Sequence, residues 1–146
     1  MMTDAAGKLD RWGWLFLVMG AGSVANALWM LGGPMHWYTD LPAAVPDTGP
    51  FNPHFVRDIG CAFFTAGAAL GWAAFAPRWR LPLVGTATIF FTAHALLHSY
   101  DTAIGNLPQN HWWLDVPGVY APAVLLIVST AILKRREGEE HATRAD

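Results

Sequence analysis

Four long stretches of this sequence contain no Asp, Glu, Lys or Arg: Trp12–Met35, Ile59–Ala76, Leu81–Ser99 and Val116–Leu133. Each is close to the roughly 20 residues that a helix needs to cross the hydrocarbon core of a bilayer. A chain of 146 residues has no soluble core large enough to absorb all four. Its charged content is 14%, against about 25% in an ordinary soluble domain. These runs predict an all-α, four-transmembrane-helix antiparallel bundle forming one integral membrane domain. The expected spans are about 12–31, 53–75, 81–104 and 116–133, with a long outer loop over 32–52 and a tail over 134–146.

The first run has a rival explanation. Lys8 and Arg11 precede it, and Ala25-Asn26-Ala27 has the form of a signal-peptide cleavage site. The apolar run nevertheless continues through Leu28–Leu31, so a retained helix is the expectation. Basic residues then set the orientation. Lys8, Arg11, Arg78, Arg80, Lys134, Arg135, Arg136 and Arg144 fall on one side of an alternating path, and only Arg57 falls on the other. The positive-inside rule places both termini in the cytoplasm, in a bacterial inner membrane.

Several function classes drop out. There is no basic stripe or nucleic-acid motif. One cysteine, Cys61, permits neither an internal disulfide nor a CxxC redox pair, and reads as a small packing residue. No GxSxG and no phosphate loop is present.

The polar residues collect at one end. Asn52 reads as a helix N-cap and Pro53 as the first helical residue. His54 and Asp58 then share a face, with Arg57 beside them at the mouth of the second span. His94, His98 and Asp101 form a stripe along the third span. Ser23, Asn26 and Met30 share a face of the first span that should point into the bundle. The outer loop adds His36, Trp37, Tyr38, Asp40 and Asp47 between prolines, and reads as a cap or an interfacial aromatic belt. Gly20, Gly22 and the pair Gly67/Gly71 would let helices approach closely. Pro122 should kink or loosen the outer end of the fourth span, near Tyr120.

Ionisable groups inside a span are costly unless paired, and they read first as a functional site. The leading expectation is a divalent zinc, copper or iron site. His94 and His98 are its ligands, Asp101, His54 and Asp58 are further donors, and Arg57, Asn26 and Tyr120 give support. A redox step could run there. Competing readings are a haem or quinone site, a proton or solute path, and a purely structural polar network in which Arg57 pairs with Asp58 or Asp101. In the structural case the protein is an accessory membrane subunit. Membrane lipid is the expected surrounding partner, with a second copy of the chain or a membrane redox protein beside it.

GPFNPHFVRDIG and the downstream HALLHSYD carry a resemblance. Through Asn52, His54, Arg57, Asp58, Gly60, His94, His98 and Asp101, the chain resembles an uncharacterised group of actinobacterial and proteobacterial integral membrane proteins. Its layout is similar to that of small four-helix DoxX-like proteins. That resemblance implies a membrane bundle and a link to quinone-coupled redox chemistry, although this chain lacks the cysteine pair a thiol oxidoreductase would use.

Overall fold

The computed structural model describes residues 9–145. Helix α1 spans Arg11–Gly32, α2 Pro34–Asp40, α3 Pro53–Phe75, α4 Arg80–Ile104, α5 His111–Leu114 and α6 Ala121–Ala145. Short 3-10 turns occupy Val45–Thr48 and Pro77–Trp79, and one π-helical turn, Val116–Tyr120, leads into α6. No strand occurs among the described residues. The protein is an all-α bundle. Four helical segments are long and apolar enough to cross a membrane.

The helix starts follow local chemistry. Asn52 accepts from the His54 and Phe55 amides, and Pro53 contributes no amide needing a partner. The fourth span opens with a π turn just before Pro122. The amides of Val119 and Tyr120 both reach the Asp115 carbonyl, which gives the π turn. The helix also runs past Leu133 into the charged tail, where Arg135 and Glu139 pair at 3.0 Å, one turn apart.

Apolar side chains fill the core and also cover the outside. Phe16, Met30, Leu70, Val84, Phe91 and Leu126 are buried, whereas Trp14, Val18, Trp72, Ile89 and Ile127 are exposed around the outside. An apolar exterior of this extent suits lipid rather than water.

α1 packs along α3, α3 on α4, and α4 on α6. The α1–α3 seam is built from small residues spaced seven apart: Gly13, Gly20 and Ala27 on α1, and Ala74, Gly67 and Gly60 facing them on α3. Seven-residue spacing holds all of them on one stripe of each helix. The backbones touch there. A Cβ on Gly20 would lie 2.8 Å from the Gly67 carbonyl oxygen, and one on Gly67 would lie 2.9 Å from the Gly20 carbonyl oxygen. Gly71 takes part only through its backbone, and Gly22 faces open space. The α4–α6 contact is polar at one point, where the Thr88 and Thr130 hydroxyls meet at 2.7 Å.

One guanidinium ties three helix ends together. Arg80 donates to both carboxylate oxygens of Asp10, at 2.6 and 2.7 Å, and to the carbonyls of Ala73 and Ala74 at the end of α3. Asp10 in turn accepts from the Gly13 amide and caps α1. The same end is closed by Arg136, whose guanidinium lies over the Trp12 ring at 5.7 Å. Hydrogen bonding to Arg80 holds the Asp10 carboxyl below its ordinary pKa. A lowered folded pKa contributes stability above the unfolded value, and that stability is lost as pH falls through the folded value. Thermal unfolding in detergent should therefore show Asp10→Asn as less stable than wild type at neutral pH. The difference should shrink as pH drops below about 4. A gap between the two that does not change with pH would rule out this role.

Candidate functional site

At the end opposite Arg80 the bundle opens around a cavity of about 730 Å³. α1 contributes Ser23, Asn26 and Met30, α3 contributes Phe55 and Phe63, and α4 contributes Phe91, His94 and His98. Trp37 and Tyr38 from α2 cover it, and Asp115, Pro117 and Gly118 close the remaining side. Two bonds fix the cover: Trp37 donates its ring N–H to Asn26 Oδ1 at 2.8 Å, and the Tyr38 hydroxyl donates to the Gly49 carbonyl at 2.7 Å.

From the cavity wall a chain of alternating imidazoles and carboxylates runs to the surface. His98 Nδ1 lies 2.8 Å from Asp115 Oδ2. His111 Nδ1 lies 3.3 and 3.4 Å from the two Asp115 oxygens, and His111 Nε2 lies 3.3 Å from Asp47 Oδ2. His111 is fully buried and Asp115 is 2% exposed, while Asp47 is 39% exposed. At the inner end, the His94 and His98 rings meet edge to face at 4.7 Å. His94 stacks on Phe90, meets Phe63 edge on and makes no hydrogen bond among the described residues. His98 also lines a second recess of about 440 Å³, toward the surface, together with Asp47 and Asp101.

Sequence reasoning selected His94 and His98 on their spacing, and both face the cavity. Of the other candidates, Asn26 lines the same cavity and the rest lie elsewhere. His54 and Asp58 pair at 3.4 Å, with side chains 82% and 56% exposed, at the rim of α3. Asp101 accepts from the Asn106 side-chain amide at 3.0 Å. Arg57 donates to the Leu31 carbonyl at 3.3 Å rather than to Asp58 or Asp101. Asn26 is engaged by Trp37 and by the Met30 sulfur. The Tyr120 hydroxyl is buried without a hydrogen-bond partner, its ring stacked on Trp112. Among the described residues no three His, Cys, Asp or Glu side chains gather as they would around a metal ion.

His111, Asp115 and Asp47 were not among the selected site residues. The signal for the first two was present. His-x3-Asp occurs three times, at His36/Asp40, His54/Asp58 and His111/Asp115. The first two pairs are exposed, and only the third is buried. Comparison with known proteins adds no template: no family model, no curated protein and no solved structure matches the chain.

Proposed function

We propose that this multi-pass membrane protein exchanges protons between an aqueous surface and its membrane-embedded cavity, through His98, Asp115, His111 and Asp47. The observation that carries this is the unbroken hydrogen-bonded path from cavity-lining His98 to surface-exposed Asp47. A proton arriving on His98 Nε2 makes an imidazolium. The ring passes its Nδ1 proton to Asp115 while His111, protonated on both ring nitrogens toward its two carboxylate partners, releases its Nε2 proton to Asp47 and water, so one proton enters and one leaves. Basic residues concentrated at the Arg80 end support an orientation with both termini cytoplasmic in a bacterial inner membrane, so Asp47 faces outward.

Nitrogen NMR of histidine-labelled protein tests the relay. An ionised Asp115 only accepts, so both imidazoles facing it should be protonated on Nδ1. Asp115→Asn should shift the His98 and His111 resonances together, and Asp47→Asn should move those of His111. A His98 signal that ignores Asp115→Asn would break the relay.

The adjacent His94 and His98 rings favour a second reading, a transition-metal site for zinc, copper or iron completed by donors from outside the chain. Elemental analysis of purified wild type beside His94→Ala/His98→Ala should then show a stoichiometric metal lost in the double variant. A metal-free wild type after incubation with each ion would remove that reading.

A further inference from the structure

We infer that the cavity binds an uncharged, lipid-soluble aromatic alcohol, with its hydroxyl group held between His94 and His98. The site goes beyond the proton reading and holds whether or not a proton moves.

Charge decides the first property of the ligand. Asp115 lines the cavity as a carboxylate, and His111 behind it has both ring nitrogens on carboxylate acceptors. Assigned from those partners, His111 is the doubly protonated imidazolium. The two buried charges cancel, and the exposed Asp47 is met by water. Arg57 is turned to the Leu31 carbonyl, and the His54–Asp58 pair lies exposed at the rim. The cavity wall therefore has no net charge. A charged ligand would give up its hydration there with nothing to offset the loss.

Hydrogen bonding decides the second property. His98 gives its Nδ1 proton to Asp115, so its Nε2 keeps a lone pair without a partner among the described residues. A neutral His94 has an N–H on one ring nitrogen and a lone pair on the other, and neither is hydrogen-bonded. These nitrogens are not sealed in. Among the described residues, the buried side-chain nitrogen and oxygen atoms without a partner are Thr92 Oγ1 and the Tyr120 hydroxyl alone. For His94 the open space is the cavity it lines. Asn26 is occupied, because its Oδ1 accepts from Trp37 and its amide points to the Met30 sulfur. The two imidazoles meet at 4.7 Å, so one small group can reach both. That group must donate a hydrogen bond to one ring and accept one from the other. A hydroxyl does both, whereas a ketone or an ether only accepts.

Shape decides the rest. Trp37, Tyr38, Phe55, Phe63 and Phe91 line the remaining wall, and aromatic rings pack favourably on another ring, offset or edge on. The volume is in the range of drug-sized ligand sites. The main seams of the bundle are α1–α3, α3–α4 and α4–α6, so helix packing does not close the face between α1 and the start of α6. Gly22 and Gly118 line the cavity on the two sides of that face. Both are exposed, and a Cβ on either meets nothing within 4 Å. This gap, walled by small uncharged residues, admits a ligand from the lipid.

Three probes with the same number of heavy atoms separate the contributions: 1-naphthalenemethanol, its isomer 1-methoxynaphthalene, and 1-ethylnaphthalene. Each is titrated into the full-length, detergent-purified protein at neutral pH. Binding is read from naphthalene fluorescence and referred to the concentration of probe dissolved in the micelle. The alcohol should bind at least about tenfold more tightly than the other two, since each of them leaves the His98 lone pair unpaired. His94→Phe keeps a ring and removes both hydrogen-bonding nitrogens. It should weaken the alcohol at least about fivefold and leave 1-ethylnaphthalene within about twofold. Gly22→Trp and Gly118→Trp, from opposite sides of the gap, should each abolish binding of all three. The His94→Phe comparison carries the test if either tryptophan variant fails to fold. Equal affinity for the three probes, or an alcohol affinity that His94→Phe does not move, overturns the hydroxyl site. Unchanged binding in both tryptophan variants reports probe dissolved in detergent and overturns the cavity as its location. No proton moves in these titrations, so either failure leaves the relay to be decided by the histidine resonances.

Discussion

Gly67→Val should split α1 from α3 and cost about 3 kcal/mol or more, the upper range for forcing extra carbons into a packed interior. The new side chain has no room to turn away. Its first carbon would lie 2.9 Å from the Gly20 carbonyl oxygen and 2.9 Å from the Val24 amide nitrogen, both of them backbone atoms. Relief requires moving a whole helix, and moving α1 also opens the Gly13–Ala74 and Gly60–Ala27 contacts along the same stripe. The comparison that gives the experiment force is Gly71→Ala. Gly71 stands four residues on and completes the same small-residue motif, yet a Cβ there meets nothing within 4 Å. Its change should stay within about 0.5 kcal/mol. Unfolding in mixed detergent measures both, and two equal losses would show that the seam is not where the backbones touch.

The second large effect is expected at Asp115. Two imidazoles depend on its carboxylate, one of them fully buried, and it has almost no exposure of its own. Replacing it by alanine strands both rings and leaves His111 with only its 3.3 Å contact to the exposed Asp47. Removing one member of a buried charged cluster costs about 3–5 kcal/mol. The same truncation at Asp58 removes an exposed pair with His54 and should cost less than about 1 kcal/mol. The contrast between two aspartates with the same spacing from a histidine is the measurement. Similar losses at both would mean that the buried cluster contributes no more than a surface contact.

Most of the fold was legible because lipid imposes a coarse rule: each span must be uncharged and long. Trp12–Met35 and the three other runs satisfy it without reference to one another. The cap at Asn52 was legible for the same local reason, since its partners are His54 and Phe55. The site was legible only in part. A four-residue spacing states that two side chains share a face, and does not state which face turns inward. His54/Asp58 and His111/Asp115 look alike on that evidence, and tertiary packing alone distinguishes them. The Asp47 contact joins residues 64 positions apart, so no local pattern encodes it. The π turn at Val116–Tyr120, which follows directly on Asp115 and packs against α4 and α6, is not written in the position of Pro122 by itself. One signal was available and unused. Gly13, Gly20 and Ala27 repeat at seven, as do Gly60, Gly67 and Ala74, and the two series describe a seam that runs the length of both helices.

That seam has a consequence for biogenesis. Its residues all lie between Gly13 and Ala74, upstream of α4 and α6 in the chain. As synthesis proceeds from the N-terminus, the first helical hairpin can assemble at the translocon while the second is still in the ribosome. Arg80 is then among the first residues to follow, and it fastens Asp10 and the end of α3 as it emerges. The nascent hairpin is latched before His98, His111 and Asp115 are made, so errors in the later half arise against a partner that is already built.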